Sequence, residues 1–280
     1  MVLKSYAKIN LTLSVNEKLK SGFHNIQSIY CLIDFHDKIF IKKIKNKQND
    51  QIYFNGPFSR DLNQSNNSIK KILNILRKNK VIFGYYLVKI NKQIPVFSGL
   101  GGGTSNAATV LRHLTKKKKL NKEIHDKIIE EVGTDLRLFY NKLGYQKNLK
   151  SVVKLYKKYQ LKFLIVFPKI KSSTKNVYSK VKKYSNSKIF LKKDIGLKQD
   201  FINHLSSSAN DLQPIVEKQH LIIKRLIKNI NKFDGCYFSR MTGSGSSCYG
   251  LFDNQKNLKN GLKELKKKFP NFVFILAKSI

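Results

Sequence analysis

Residues 99–105 read Gly-Leu-Gly-Gly-Gly-Thr-Ser, four glycines in five positions directly ahead of the apolar stripe Ala107, Ala108, Leu111 and Leu114. Glycine lets the main chain take positive φ and pass close to a ligand, and successive N–H groups then converge on a concavity suited to an anion. The helix that the stripe predicts from near Thr104 adds its unbonded N–H groups and positive dipole end to the same place. A merely flexible turn would not gather three consecutive glycines at a helix start. Gly99–Ser105 is therefore read as a phosphate cradle. It is not a P-loop, because no lysine follows Gly103. It is not a dinucleotide fingerprint either, since Thr104 stands where the third glycine belongs. The protein-kinase signatures His-Arg-Asp and Asp-Phe-Gly are absent from the chain.

The elements around this loop alternate between strand and helix. Ile9, Leu11, Leu13 and Val15 alternate with Asn10, Thr12 and Ser14, the pattern of a half-buried strand with Lys8 on the polar side. Ile39–Ile41 reads as a second strand, Asn66–Lys78 as a helix and Tyr85–Ile90 as a strand. Beyond the loop, Ile124, Ile128 and Ile129 mark a helix that Gly133 stops, and Thr134-Asp135 opens a short segment. After about residue 150 the pattern restarts. It gives a strand at Leu161–Phe167, a helix at Leu221–Ile230, strands at Gly235–Arg240 and Cys248–Phe252, a helix at Leu258–Lys268 and a strand at Phe272–Ala277. A second Gly/Ser loop, Thr242-Gly243-Ser244-Gly245-Ser246-Ser247, separates two of these strands. It reads on its own as a hairpin turn. Two α+β halves, 1–155 and 156–280, are expected.

Composition narrows the function classes. The 280 residues are 41% hydrophobic, enough to fill a core, with no run of the roughly 18 apolar residues a membrane span needs. The N-terminus lacks the charged, apolar and small-residue succession of a secretory signal, so a cytoplasmic location is expected. Cys31, Cys236 and Cys248 have no metal or redox spacing and read as small buried hydrophobes. The formal net charge is +38, which permits three readings. One is compositional drift, because only six of the 55 basic residues are arginine, the residue a nucleic-acid surface would enrich. The others are polyanion binding and steering of an anionic small substrate. The densest run, Lys116–Lys119, reads as a solvated helix end and loop.

The stretch Pro95-Val96-Phe97-Ser98-Gly99-Leu100-Gly101-Gly102-Gly103-Thr104-Ser105 resembles the ATP-binding motif of the GHMP kinases, P-x-x-x-G-L-G-G-G-S-S. Ala7-Lys8-Ile9-Asn10-Leu11 and Met241-Thr242-Gly243-Ser244-Gly245-Ser246 resemble that superfamily's first and third motifs, in the expected order. The resemblance implies an α+β, two-domain architecture with an N-terminal S5-like α/β domain and a C-terminal α/β-plait domain. Gly22-Phe23-His24 and Gly133-Thr134-Asp135 are most similar to the branch acting on 4-diphosphocytidyl-2-C-methyl-D-erythritol in the non-mevalonate isoprenoid precursor pathway. What this implies is transfer of the ATP γ-phosphoryl group to the substrate 2-hydroxyl. Asp135 matches the catalytic aspartate and Lys8 its partner lysine, while Pro95–Ser105 would hold the nucleotide. For the substrate the resemblance carries over Phe23 and Tyr178 as an aromatic pair for the cytosine, His24 at the base edge, Asn10 at the polyol or phosphate, and Thr174. Mg2+ would arrive with ATP, helped by a hydroxyl at Thr104 or Ser105, with no dedicated protein metal cage.

Two features depart from the pattern. Thr134, Leu136 and Arg137 replace the usual neighbours of the aspartate, and Gly144-Tyr145-Gln146-Lys147-Asn148-Leu149-Lys150 stands where relatives carry small residues. Another kinase of the superfamily, of homoserine or mevalonate type, and a non-catalytic nucleic-acid-binding protein are the competing readings. The partner expected is a small molecule bearing a cytidine diphosphate, not a membrane or a nucleic acid, bound by a monomer or homodimer.

Overall fold

The computed structural model describes residues 2–60, 62–63, 66–116, 120–156, 159–186 and 196–280. In chain order the strands are β1 (Val2–Asn10), β2 (Ser14–Lys18), β3 (His24–Ile44), β4 (Gln51–Asn55), β5 (Tyr85–Asn91), β6 (Leu143–Gln146), β7 (Val152–Lys154), β8 (Lys162–Phe167), β9 (Cys236–Met241), β10 (Cys248–Phe252) and β11 (Val273–Lys278). The helices are α1 (Ser68–Lys78), α2 (Gly102–Leu114), α3 (Lys122–Val132), α4 (Thr174–Ser179), α5 (Lys198–Ser207), α6 (Gln213–Gln219), α7 (Leu221–Ile230) and α8 (Gln255–Lys268), with a 3-10 turn at Thr134–Tyr140. They form two compact units that the chain enters more than once. Unit 1 holds Met1–Ala7, Phe35–Val96 and Gly101–Tyr140, and unit 2 holds Lys8–Asp34, Phe97–Leu100 and Asn141–Ile280. None of the helices is long and apolar enough to cross a membrane among the described residues.

Unit 1 is a sheet covered by helices. The second half of β3 pairs antiparallel with β5, Lys38 opposite Asn91 through Ile44 opposite Tyr85, and β4 adds in parallel on β5. Ile39, Val88 and Ile90 on these strands and Ile72, Leu73, Leu76, Ala108 and Leu111 on α1 and α2 are fully or almost fully buried. Asn67 caps α1 by accepting from the N–H groups of Ile69 and Lys70, so the helix starts at Ser68 rather than at the expected Asn66, while Gly133 ends α3 as the sequence leads one to expect. The 3-10 turn packs against α2 through buried Leu136, Leu138 and Phe139, which leaves Asp135 half-buried beside them.

A buried polar network sits under the first turn of α2. Lys92 and Asp37, 1% and 0% exposed, form an ion pair, and Asp37 Oδ1 also accepts from the N–H groups of Gln93 (2.7 Å) and Ile94 (2.8 Å). Asn106 Nδ2 donates to Asp37 Oδ2 (2.8 Å) and to Ser5 Oγ (2.9 Å), and Ser5 Oγ lies 2.8 Å from Ser105 Oγ. Every polar atom of this charged pair thus has a partner, the condition under which such a pair is tolerated in a core.

Unit 2 contains a four-stranded antiparallel sheet of order β11-β8-β10-β9. With α7 before β9 and α8 before β11, this is the βαββαβ plait. Leu164, Val166, Ile223, Leu226, Ile230, Leu258 and Leu265 fill the space between sheet and helices. The first half of β3 also belongs here, with β2 and β6 paired on it and β7 on β6.

Three expectations are corrected. The strand expected over Ile9–Val15 is broken: β1 ends at Asn10 and β2 starts at Ser14. Between them Leu11 N and Thr12 N both turn to Ile29 O, and Leu13 N donates to Ala209 O, so the N–H groups leave the ladder. Nor is the segment half-buried, since every residue from Ala7 to Val15 is buried, including Lys8 at 4%, Asn10 at 3% and Thr12 at 1%. The helix expected from near Thr104 begins two residues earlier, at Gly102, because Gly101 at φ 71° turns the chain and Ser105 N closes the first helical bond on Gly101 O (2.9 Å). Cys31 and Cys248 are buried and Cys236 partly so, all as free thiols. Lys117–Lys119 lie outside the described residues.

Candidate active site

Within unit 2 the first motif, the entry to the glycine loop and the Thr242–Ser247 turn are tied by hydrogen bonds. Lys8 N donates to Leu100 O (3.0 Å), Ser247 N to Ser98 O (3.0 Å), and Asn10 N to Thr242 Oγ1 (3.0 Å). Lys8 Nζ donates to Asn10 Oδ1, and Asn10 Nδ2 donates to Ser28 Oγ (2.7 Å). The glycines here have steric reasons. A Cβ on Gly99, whose φ is +80°, would stand 2.2 Å from Thr242 O, and one on Gly243, at φ +56°, would stand 3.2 Å from Asn10 Oδ1 and 3.3 Å from Lys8 Nζ. The turn is thus pressed onto the ammonium of a buried lysine. Thr174 Oγ1 lies 2.9 Å from Ser244 Oγ, which binds this expected substrate residue to the same turn.

Asn210, Arg240 and Ser172 stand in none of the motifs, yet they hold this cluster together. Asn210 Nδ2 donates to Met241 O (2.8 Å) and Gly243 O (2.9 Å), and Ser172 Oγ donates to Ser244 O (2.6 Å). Arg240 is 6% exposed and spreads its guanidinium over the carbonyls of Leu11, Leu205 and Ser208, where β1 breaks. In a chain that uses lysine almost everywhere, an arginine two residues before Thr242 was the available signal, because only the guanidinium fork reaches several acceptors at fixed angles.

In unit 1 the loop continues as the start of α2. Gly101 has no side chain to cap the helix, which leaves the first-turn N–H groups and the dipole end for an anion. Gly103 is exposed, and a Cβ there would meet nothing within 4 Å. No protein packing accounts for that glycine. The hydroxyls of this turn divide: Ser105 is 1% exposed and donates to Tyr6 O (2.6 Å), whereas Thr104 is partly exposed. Pro95 is buried, Val96 partly buried and Phe97 56% exposed at φ 54°. Asp135 belongs to unit 1 and Lys8 to unit 2.

The third cluster is aromatic and lies in unit 2. The His24 ring is 5.2 Å from that of Tyr178, tilted by 34°, and 6.2 Å from that of Tyr184, tilted by 32°. Burial, with a smaller contribution from Lys18, holds the His24 pKa below its ordinary value, so the imidazole is neutral at pH 7 with one donor and one acceptor nitrogen. Phe23 is 55% exposed.

The model of the GHMP kinases N terminal domain matches residues 67–138, and that of the GHMP kinases C terminal domain matches residues 188–271. A 4-diphosphocytidyl-2-C-methyl-D-erythritol kinase of Pelagibacter ubique is 35% identical over 99% of this chain and 98% of its own length. A kinase of the same name from Wolbachia pipientis wMel is 31% identical over 96% and 95%. Among solved structures, a 4-(cytidine 5'-diphospho)-2C-methyl-D-erythritol kinase superposes with a TM-score of 0.75 at 19% identity, covering all of both chains. A homoserine kinase from Cytophaga hutchinsonii gives 0.72 at 18% over 99% and 95%, so the fold by itself does not distinguish the two substrates. Identity above 30% along nearly the whole length does separate them, and the chain belongs to the 4-diphosphocytidyl-2-C-methyl-D-erythritol kinase family of the GHMP kinases.

Proposed function

We propose that this protein transfers the γ-phosphoryl group of ATP to the 2-hydroxyl of 4-diphosphocytidyl-2-C-methyl-D-erythritol, a cytoplasmic step of the non-mevalonate isoprenoid precursor pathway. One observation carries the reading. Lys8, the loop entry at Ser98–Leu100 and the Thr242–Ser247 turn, distant in sequence, share one hydrogen-bonded cluster. Residues 1–155 are read as the domain with the nucleotide loop and 156–280 as the domain with the closing turn, a division supported by the family models falling on either side of it.

In this mechanism the N–H groups of residues 101–104, ahead of the first helical bond made by Ser105 N, hold the nucleotide phosphates, and the uncapped helix start and bare Gly103 fit a polyphosphate. Thr104 is the hydroxyl of that turn that would help to hold a Mg2+ ion arriving with the phosphates, since Ser105 is committed inward, and such an ion would supply charge to offset theirs. Asp135 takes the proton of the acceptor hydroxyl, and the Lys8 ammonium stabilises negative charge developing on that oxygen. Asn10 orients the ammonium and the polyol, and His24, Phe23, Tyr178 and Thr174 receive the cytidine diphosphate. The bond formed joins the acceptor oxygen to γ-phosphorus, the bond broken releases ADP, and the proton leaves on Asp135. The net charge of +38 adds a field that draws in two anionic substrates.

The test is phosphorus NMR of a reaction with ATP and each of three acceptors: 4-diphosphocytidyl-2-C-methyl-D-erythritol, homoserine and mevalonate. A new phosphate monoester with the first acceptor alone is expected. Monoester only with homoserine or mevalonate would move the chain to another substrate.

A further inference from the structure

The resemblance to the family assigns Phe23 and Tyr178 to the two faces of the base. The rings gathered about His24 in the structure are those of Tyr178 and Tyr184. Tyr184 lies in the segment 181–186, in no motif and in no helix or strand. Its position is nonetheless fixed by the residue after it. Ser185 N donates to Val15 O (2.8 Å), and Asn16 Nδ2 donates to Ser185 O (3.0 Å). Val15 is wholly buried on β2, the strand that pairs with β3 at His24 through Lys18 opposite it. The strap behind Tyr184 is therefore pinned to the same hairpin that carries the imidazole. The ring keeps 40% of its residue's surface exposed. An exposed aromatic held rigidly beside a partly exposed histidine and a second tyrosine loses little entropy when a flat ring stacks on it, and any base has a π-face to offer.

We propose that Tyr184 is a specificity-determining residue of this protein, forming with Tyr178 and His24 an aromatic wall that receives the pyrimidine of a nucleoside-diphosphate-bearing substrate. The assignment rests on the cytidine reading above. It adds a third ring to the subsite and gives the segment after α4 a role in substrate choice. The neutral His24 then meets the base edge with both a donor and an acceptor.

The experiment measures KM and kcat for the cytidine-bearing acceptor, and binding of CDP by calorimetry. It uses wild type, Tyr184→Ala, Tyr184→Leu, Tyr184→Phe and Tyr178→Ala, each with its melting temperature. Loss of the aromatic face in the Ala and Leu variants should raise the acceptor KM and the CDP Kd on the order of tenfold. The KM for ATP and kcat should stay within about twofold, and Tyr184→Phe should behave as wild type. A merely structural role for Tyr184 would instead lower the melting temperature and move both substrates together. If Tyr178→Ala weakens CDP while the Ala and Leu variants at 184 bind it as wild type does, the cytidine reading stands and the role of Tyr184 is overturned. If wild type itself fails to bind CDP, the cytidine reading falls and the proposal with it.

Discussion

Replacing Gly103 with alanine should make the protein more stable and less active. Gly103 is the second residue of α2, is not among the glycines with positive φ, and is exposed, with nothing within 4 Å of the place an added Cβ would take. Alanine is favoured over glycine in a helix interior by about 1 kcal/mol, and roughly half of that is expected in a first turn. At about 2–4 °C per kcal/mol for a chain of this size, the melting temperature should rise by about 1–2 °C. The methyl group, however, occupies the space through which phosphate oxygens approach the N–H groups of the turn. Loss of one to two charge-assisted hydrogen bonds, at about 1.5–3 kcal/mol each, corresponds to a fall of about tenfold or more in kcat/KM for ATP. Differential scanning fluorimetry reads the first effect and steady-state kinetics with varied ATP the second. Gly99→Ala supplies the contrast, because its Cβ would collide with Thr242 O at 2.2 Å and its φ is +80°, so it should lower the melting temperature. A folded Gly103→Ala enzyme with wild-type kcat/KM for ATP would refute the idea that phosphate approaches the loop there.

Three further outcomes are expected. Lys92→Met leaves Asp37 charged and buried without its cation, and should cost about 3–5 kcal/mol in urea unfolding; a loss below about 1 kcal/mol would show that the pair does not support the core. His24, His113, His125 and His204 are all held below their ordinary pKa, chiefly by burial, so the folded state binds fewer protons than the unfolded chain. Stability should therefore be full above the unfolded value of about 6.5 and decline as pH falls below it, read as a lower urea midpoint at pH 5.5 than at pH 7.5; an unchanged or higher midpoint would contradict this. Lys8→Met keeps the buried stem and removes the ammonium beside Asn10 and Gly243, and should reduce kcat at least about a hundredfold with both substrates saturating. A kcat within threefold of wild type would exclude Lys8 from the chemistry.

The parts of the fold that local chemistry dictates were legible in the sequence. Gly133 marks a helix end because capping is a property of neighbouring residues, and Leu221–Ile230 declared itself by its apolar spacing. The break at Leu11–Leu13 was not legible, since it is imposed by Ile29 and Ala209, whose carbonyls lie far away in sequence. Burial of Asn10 and Thr12 escaped for the same reason: they look solvent-facing until Ser28, Ile29 and Thr242 supply their partners. Of the candidate site, glycine-rich turns and the lysine between alanine and isoleucine carried their own signals. Arg240 and Asn210 act on main-chain carbonyls, which any residue presents, so nothing in the sequence marks their targets.

Proton acceptance by Asp135 during phosphoryl transfer is tested by single-turnover formation of phosphorylated 4-diphosphocytidyl-2-C-methyl-D-erythritol by wild type and Asp135→Asn. The asparagine variant, folded and still binding ATP and the acceptor, should form product at least about a hundredfold more slowly than wild type. Equal rates in the two enzymes would contradict the mechanism.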